Sequence, residues 1–345
     1  MTGGLALAEI DVVVTEARTV ATDVVLIELR AADGSELPAW EPGAHLDVVV
    51  QPGVERQYSL CGDPGDRTRY RVAVLREPDG RGGSEHLHTH VAAGSALRVR
   101  GPLNHFALVP PTASSRYAFI AGGIGITPLL PMIRAAEAAG ASWTLAYAGR
   151  SLERMPFVDE LVELYGSRVS VFTSAPVSVQ VTGDGPADDA AVESTANRLD
   201  LGSVDGGSAS DPVSVYCCGP SRMLAELEQR AHDAGWPAGT LHLERFEARE
   251  VTEPVRHESF EVELELSGMT LEVPPDRSIL DVVEEAGVLV LSSCREGTCG
   301  TCETPVIEGE VDHRDSVLTP DEQESNEVMM ICVSRAACPR LVLEL

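Results

Sequence analysis

Four cysteines near the carboxyl end of the chain restrict its fold more than any other feature. Cys294, Cys299 and Cys302 have the spacing CxxxxCxxC within SCREGTCGTC, and Cys332 follows further along in MMICVSRA. This is the plant-type arrangement for a 2Fe-2S cluster, in which each iron takes two thiolates and three close cysteines wrap one side. The two glycines inside the loop permit the tight bend that this wrapping needs. The pattern predicts a 2Fe-2S cluster held by these four cysteines.

Two other interpretations of the cysteines stay open but are less favoured. Zinc sites usually use two CxxC-like pairs, and the second pair is missing here. A group of buried, inert thiols is the other alternative. Cys338 competes with Cys332 as the fourth ligand, but it lies in the apolar tail AACPRLVLEL, where an ordinary buried cysteine is expected. We therefore expect Cys332 to be the ligand.

The 345 residues exceed what one hydrophobic core usually supports, so the chain is expected to be multidomain. Short strands separated by turns over residues 1–110 predict an antiparallel β-barrel. Alternating strands and helices over 111–246 predict an α/β domain with a parallel sheet, interrupted by a polar surface excursion over 176–212. A charged linker is expected over 247–258. A hairpin, a helix and the cysteine loop over 259–345 predict a third domain of the α+β class.

The charge of the chain limits its partners. A formal net charge of −28, from 54 acidic and 26 basic residues, argues against nucleic acid or an anionic membrane. Nineteen acids against five arginines lie between Ser259 and Leu345. A basic protein surface docking on this last domain is therefore expected. Without an apolar run long enough for a bilayer or a signal peptide, we expect a cytoplasmic protein, and a monomer.

A glycine-rich turn, AGGIGITP, follows one predicted strand and opens a helix. Backbone N–H groups and the helix dipole at such a place suit a pyrophosphate. Thr127 is expected to cap the helix and Pro128 to be its first residue. Three glycines allow close approach of a ligand: Gly122, Gly123 and Gly125. Because Pro128 breaks the GxGxxG pattern, a tight turn without a ligand stays an alternative.

A second strand end carries Cys218, Gly219 and Pro220 before a helix that Ser221 is expected to cap. The carboxyl ends of parallel strands form one crevice, so both turns should face the same cavity. Strand alternation points Cys217 away from that cavity and Cys218 toward it.

The barrel region contains two weaker signals for a flavin. In RQYSL, Arg56 and Tyr58 share one strand face and Ser59 takes the other. An arginine can bind phosphate, a tyrosine can cover an aromatic ring, and a serine can hydrogen-bond its heteroatoms. The later GRGGS offers backbone N–H groups and a hydroxyl for an anion. Each motif alone is more often an ordinary strand or turn.

Three histidines alternate in EHLHTH: His86, His88 and His90. Their spacing imitates a metal site, but the segment is compatible with a helix. Solvated or capping histidines are therefore favoured over metal ligands.

Taken in order, RQYSL, GRGGS, GGIGITP with YCCGP, and the cysteine loop resemble the phthalate dioxygenase reductase family, including the vanillate demethylase reductases. The resemblance covers nearly the whole chain and implies an FMN barrel, an NAD domain and a plant-type ferredoxin domain of the β-grasp type. The residues that it implies for FMN are Arg56, Tyr58, Ser59, Ala73, Val74, Leu75, Gly82, Gly83 and Ser84, with Thr127 and Phe246 reaching the flavin. Those implied for the nicotinamide cofactor are Gly123, Gly125, Cys218, Gly219 and Pro220, beside Gly122 of the glycine turn. Ser59, Thr127 and Cys218 are the catalytic candidates.

Two departures from the family pattern affect this transfer. Some members have Lys where this chain has Leu75, so one polar FMN contact is absent. The 176–212 excursion is also longer than expected.

The resemblance predicts that NADH, with NADPH as the other possible donor, passes a hydride to FMN. Electrons then leave singly through the 2Fe-2S cluster to a terminal oxygenase of the Rieske non-haem iron type. Two alternatives remain at this point: a reductase for a haem monooxygenase of the cytochrome P450 type, and a non-catalytic iron-sulfur carrier or redox sensor. Arg150, after a predicted strand, is a candidate contact for an NADPH 2′-phosphate, but NADH is preferred from the resemblance.

Overall fold

The structure is a computed structural model that describes residues 9–51, 54–78, 80, 82–174, 177–178, 193–194, 199–208, 210–248 and 255–345. Its described residues form two compact units, divided between Glu244 and Arg245. Among the described residues, the first unit contains two large sheets and two two-stranded ladders, and the second contains a five-stranded sheet and one two-stranded ladder.

Six antiparallel strands form the first sheet, in the order β4-β3-β6-β1-β2-β5. Their bounds are β1 Glu9–Ala21, β2 Val24–Ala31, β3 His45–Gln51, β4 Val54–Ser59, β5 Tyr70–Leu75 and β6 Ala96–Leu103, with helix α1 at Gly83–His90 before β6. A bridge between Leu60 and Val72 joins the end of β4 to β5 and so links the two edge strands. Inward-facing apolar side chains, including Val12, Leu46 and Val99, fill the interior. The predicted antiparallel barrel is confirmed.

Five parallel strands form the second sheet, in the order β15-β14-β7-β8-β9. The strands are β7 Arg116–Gly122, β8 Ser142–Gly149, β9 Val169–Thr173, β14 Ser214–Cys218 and β15 Leu241–Glu244, and the helices are α2 Ile126–Ala138, α3 Val158–Tyr165 and α4 Ser221–Asp233. Two short ladders lie between β9 and β14: β10 Val177–Ser178 with β11 Glu193–Ser194, and β12 Gly207–Ser208 with β13 Asp211–Pro212. The α/β domain is as predicted.

One apolar cluster joins the barrel to the parallel sheet. Leu26 and Ala73 of the barrel belong to the same buried cluster as Phe119 and Leu129. Arg134 of α2 also donates to the Gly62 carbonyl, at 3.0 Å. The relative position of the barrel and the parallel sheet is therefore fixed by buried side chains.

Both predicted helix caps in this unit are wrong. A 3-10 turn over Gly123–Gly125 leads directly into α2, so the cap position is Gly125. Thr127 lies inside the first turn, where its hydroxyl donates to the Ile124 carbonyl at 3.0 Å. Helix α4 likewise begins at Ser221 itself, with Pro220 at the cap position. The 3-10 turn moves the start of α2 upstream of Thr127, whereas α4 starts one residue earlier than predicted.

The second unit carries a mixed five-stranded sheet in the order β17-β16-β22-β18-β20. Its elements are β16 Phe260–Leu264, β17 Met269–Val273, α5 Ile279–Glu285, β18 Glu303–Glu308, β19 Val311–Asp312, α6 Pro320–Ser325, β20 Val328–Met330, β21 Arg335–Ala336 and β22 Arg340–Leu343. The hairpin β16-β17 is antiparallel, while β22 runs parallel to β16. Ser278 caps α5 in a reciprocal capping box with Asp281. The predicted α+β domain of the β-grasp type is confirmed.

The predicted polar excursion and the predicted linker lie partly outside the described residues. Most of 176–212 and all of 249–254 are not described. Within the described part of the excursion, a 3-10 turn covers Leu201–Ser203, and the Asp200 carboxylate accepts from the Gly202 N–H at 2.9 Å. Across the part of the chain that the structure describes, no helix has the length and apolarity of a membrane span.

Candidate functional site

The four predicted iron ligands lie together in the second unit. The Cys294 thiol interacts with the thiols of Cys299 and Cys332, and the Cys302 thiol interacts with that of Cys332. Three of the four are buried, with exposures of 3% for Cys299, 2% for Cys302 and 7% for Cys332. Among the described residues, no group of three His, Cys, Asp or Glu side chains is placed to hold a single metal ion. The four thiols instead form one connected group. A 2Fe-2S cluster takes four thiolates, two on each iron.

The loop between the first two of these cysteines directs backbone N–H groups at sulfur. The Cys294 sulfur accepts from the Glu296 N–H at 3.3 Å and from the Thr298 N–H at 3.4 Å. The neighbouring Cys299 and Cys332 thiols, together with these donors, lower the pKa of Cys294. A thiolate is the form that binds iron, so the loop favours the ligand state.

Glycines and one strained arginine give the loop its shape. Gly297 and Gly300 have φ angles of 69° and 75°, in the left-handed region. A Cβ on Gly297 would lie 2.5 Å from the Val333 side chain, so a larger residue does not fit there. Arg295 is also left-handed, at φ 54°. Its guanidinium donates to the Asp281 carboxylate of α5 at 3.0 Å, which ties the loop to that helix.

Cys338 is separate from this group, but not as predicted. It is only half-buried, and its thiol donates to the Arg340 carbonyl at 2.9 Å. Cys338 lies two residues before the start of β22 and not inside the core, so the expectation of a buried thiol is wrong.

The two glycine turns of the parallel sheet touch each other. A Cβ on Gly125 would lie 2.2 Å from the Cys218 carbonyl oxygen, and one on Gly122 would lie 2.5 Å from the Pro220 ring. A Cβ on Gly219 would lie 3.0 Å from the Gly122 Cα. The two turns therefore pack against each other at the carboxyl edge of the parallel sheet, the place where a dinucleotide phosphate is expected.

Cys217 and Cys218 face opposite sides of the sheet, as predicted. Cys218 packs with Phe119 and Tyr216 in the cluster shared with the barrel, whereas Cys217 packs with Leu224 and Leu227 of α4.

Glu244 is a candidate that the sequence analysis missed. It is the register partner of Cys218 in the parallel pair β14-β15, and the Cys218 thiol donates to its carboxylate at 3.6 Å. Desolvation raises the pKa of Glu244 to about 8 and raises the pKa of Cys218 well above its ordinary value. Its acidic side chain two residues before Phe246, in LERF, was the available sequence signal.

The barrel residues proposed for a flavin phosphate lie beside helix α1. Arg56 passes over Gly83, because a Cβ at that position would lie 2.5 Å from the Arg56 Cγ. Gly82 precedes α1 in a left-handed conformation at φ 80°, and the Ser84 hydroxyl accepts from the Glu77 N–H at 3.1 Å. An arginine that crosses glycines at a helix start fits an anionic phosphate.

The remaining flavin candidates lie on β4, on β5 and, for Phe246, in the second unit. Ser59 is 5% exposed at the end of β4, and desolvation raises the pKa of the neighbouring Tyr58. On β5, Ala73 and Val74 are buried, while Leu75 is half-buried. Phe246 follows β15 and is 46% exposed. Contacts of these residues with a cofactor stay predictions.

The three alternating histidines lie on α1. The His88 Nε2 contacts the Val74 carbonyl at 2.9 Å, which occupies that imidazole. His86 and His90 stack with ring centroids 4.6 Å apart. The Gln51 amide also contacts the His86 Nδ1 at 3.0 Å. These contacts are local side-chain packing, in line with the helical interpretation.

Comparisons with known proteins match this architecture. A family model for a 2Fe-2S iron-sulfur cluster binding domain covers residues 262–337, and one for an oxidoreductase NAD-binding domain covers residues 119–229. Phthalate dioxygenase reductase of Burkholderia cepacia is 40% identical over 329 residues, 94% of each chain. Vanillate O-demethylase oxidoreductase of Pseudomonas putida is 37% identical over 97% of this chain and 100% of its own.

Solved structures agree with the sequence relatives. A crystal structure of phthalate dioxygenase reductase has a TM-score of 0.65 and 37% identity, and the match covers 98% of both chains. An intact type IV self-sufficient cytochrome P450 monooxygenase has a TM-score of 0.81 and 42% identity. That match covers 98% of this chain but 41% of the monooxygenase. With this similarity over nearly its full length, the chain belongs to the phthalate dioxygenase reductase family of oxidoreductases, the reductases of oxygenase systems.

Proposed function

We propose that the chain takes electrons from NADH through FMN and a 2Fe-2S cluster and delivers them to a Rieske non-haem iron oxygenase. The observation that carries this proposal is the convergence of Cys294, Cys299, Cys302 and Cys332 in a chain that also brings two glycine turns into contact. A bound flavin accepts an electron pair from a nicotinamide and passes electrons on singly, as a one-electron cluster requires.

The barrel residues fit a mononucleotide flavin. The Arg56 side chain lies over Gly83, and its guanidinium donates to the Glu55 carbonyl at 2.7 Å. This guanidinium, beside the start of α1, would also contact one terminal phosphate. Tyr58 and Ser59, adjacent on β4, would cover the ring and hydrogen-bond it. FMN rather than FAD is favoured by the family resemblance.

The residues of the parallel sheet would bind and orient the nicotinamide donor. Gly122, Gly125 and Gly219 let the two turns pack closely where they meet, and the backbone N–H groups at the start of α2 would bind the phosphates. The Cys218 thiol keeps its proton, directed at the Glu244 carboxylate. Because the pKa of Glu244 is raised to about 8, this carboxyl is mostly protonated at neutral pH. The crevice thus presents an uncharged pair to the nicotinamide end of the donor.

The acidic second unit supports a basic acceptor protein. Nineteen acids against five arginines between Ser259 and Leu345 attract a positively charged docking face at moderate salt. None of the eight cysteines forms a disulfide, which supports action in the reducing cytoplasm. We propose that the protein acts there as a monomer.

A haem monooxygenase is the second candidate acceptor. The match to a self-sufficient P450 at 42% identity over 98% of this chain favours it specifically. A direct comparison separates the two candidates. Purified chain with NADH is mixed with a Rieske oxygenase and, separately, with a P450 from the same source, and the reduction rate of each acceptor is measured. We expect at least tenfold faster reduction of the Rieske protein. Faster reduction of the haem protein would replace our preferred acceptor.

Cofactor identity is tested on the same preparation. Flavin released by acid is identified by chromatography, and steady-state kcat/KM is compared for NADH and NADPH with a dye acceptor. The proposal expects FMN and a preference for NADH. Released FAD, or equal efficiency with both donors, would contradict the corresponding part.

A further inference from the structure

A buried carboxylate lies between the two cysteine-bearing segments of the second unit. Asp315 is 2% exposed in the loop between β19 and α6. Its Oδ2 accepts from the Leu318 N–H at 2.8 Å and from the Val317 N–H at 3.1 Å. Its Oδ1 accepts from the Ser334 hydroxyl at 3.3 Å. Three donors thus hold both oxygens of a carboxylate that has almost no contact with water.

The Ser334 contact connects Asp315 to the segment that carries Cys332. Ser334 follows Cys332 by two residues, and its N–H donates to the Met330 carbonyl at 2.9 Å in the turn around that cysteine. The Ser334 hydroxyl also accepts from the Arg314 N–H at 3.2 Å. The turn after the fourth ligand is therefore bonded to the Asp315 loop by both a side chain and a backbone group.

The other side of the Asp315 loop contacts the segment that carries the first three cysteines. The Ser316 N–H donates to the Gly297 carbonyl at 2.7 Å. A Cβ on Gly297 would lie 3.0 Å from the Asp315 Cα, so the two backbones are in direct contact. One loop thus contacts the segments of Cys294 and Cys332, which are far apart in sequence.

We propose that Asp315 is a positioning residue for the iron cluster, which holds the turn after Cys332 in register with the loop from Cys294 to Cys302. The inference rests on the cluster assignment of the proposed function. Asp315 acts through Ser334 and the backbone, not by contact with iron. Four thiolates must meet with small errors in position, and hydrogen-bonded partners outside the ligand set are what fix ligand positions in metal sites. His313 is the nearest imidazole, but its Nδ1 lies 3.7 Å from the Asp315 Oδ1, too far for a hydrogen bond.

The test uses the full chain and four variants: Asp315→Asn, Asp315→Ala, Ser334→Ala and Asp312→Asn. Asp312→Asn is the matched control, because it removes the same charge three residues away, where the carboxylate accepts from the Val255 N–H at 3.1 Å. Two quantities are measured: the rate of cluster loss in the presence of a chelator, from visible circular dichroism, and the EPR spectrum after dithionite reduction.

For Asp315→Asn, loss of one buried, charge-assisted contact is expected to speed cluster loss about tenfold and to shift the EPR g-values. Asp315→Ala should have a larger effect, and Ser334→Ala about a threefold effect in the same direction. Asp312→Asn should match the wild type, and flavin reduction by NADH should be unchanged in every variant. If both Asp315 variants fail to fold, Ser334→Ala alone decides between the outcomes.

The positioning role would be overturned if Asp315→Asn had the EPR spectrum and the rate of cluster loss of the wild type. If Asp315→Asn cannot be expressed, the same result for Ser334→Ala would overturn it. A wild-type protein with no cluster signal would instead overturn the proposed function. The two failures are therefore distinguishable on one set of samples.

Discussion

Gly125→Ala tests the contact between the two glycine turns with a single methyl group. Gly125 has φ −61° and ψ −2°, a conformation that alanine adopts without strain. Any effect of the substitution must therefore come from the added carbon. That carbon would lie 2.2 Å from the Cys218 carbonyl oxygen, 2.5 Å from the Cys218 carbonyl carbon and 2.9 Å from the Gly219 nitrogen. All three atoms belong to backbone, which cannot rotate out of the way.

The size of the effect follows from this overlap. A carbon and a carbonyl oxygen need a separation of roughly 3.2 Å or more, so one turn must move by about 1 Å. A displacement of about 1 Å in a site that positions a substrate costs on the order of 100-fold, or about 2.7 kcal/mol. We expect the Kd for NADH to rise by about this factor. The overpacking should also lower the unfolding midpoint, at a cost of roughly 1–3 kcal/mol.

The assay mixes the protein with increasing NADH under anaerobic conditions in a stopped-flow instrument. The Kd for NADH is obtained from the dependence of flavin absorbance on NADH concentration. Gly65→Ala serves as the control, because its added carbon would meet only the Asp63 carboxylate oxygen, at 3.3 Å, in an exposed turn. Gly65→Ala should bind NADH as the wild type does. If Gly125→Ala also bound NADH with wild-type affinity, the two turns would not form the nucleotide site, and the reasoning would be refuted.

Three further outcomes are expected. Cys332→Ser should abolish the stable cluster while Cys338→Ser retains it, as measured by iron and acid-labile sulfide per chain; equal retention would exclude Cys332 as a ligand. The pKa of Glu244 is about 8 in the folded chain against 4.5 in an ordinary carboxyl. The folded state therefore keeps a proton that the unfolded state releases, and this carboxyl lowers stability increasingly as pH rises from about 4.5 to 8. Glu244→Gln should raise the unfolding midpoint more at pH 8 than at pH 5, and a larger gain at pH 5 would reverse the sign of this argument. Tyr147→Phe removes a buried hydroxyl that donates to the Gly123 carbonyl at 3.1 Å, so the Kd for NADH should rise about fivefold. An unchanged Kd would show that this hydrogen bond does not position the glycine turn.

Features set by local spacing were predictable from sequence. The convergence of Cys294, Cys299 and Cys302 follows from their separation in one loop, and Gly297 and Gly300 mark its bend. The three domain folds also followed from strand and helix rhythm. The contact of the two glycine turns was predictable for a more general reason, since the carboxyl ends of parallel strands meet at one edge.

Features set by register between distant segments were not predictable. Glu244 becomes a partner of Cys218 only because β15 pairs with β14 in one register, 26 residues apart in sequence. Asp315 bonds to Ser334 across a similar gap, and nothing in the segment VDHRDSV distinguishes this acid from its neighbours. The Thr127 cap was wrong because a 3-10 turn, which has no strong sequence signal, starts the helix early.

The most direct test of the electron path is EPR spectroscopy of the purified protein after anaerobic addition of NADH. The account predicts that about 1.5 equivalents of NADH, which supply two electrons for the flavin and one for the cluster, bleach the flavin and produce the signal of a reduced 2Fe-2S cluster, with close to one spin per chain. Dithionite provides the reference for complete reduction. A protein in which NADH bleached the flavin while only dithionite produced the cluster signal would contradict electron transfer from flavin to cluster.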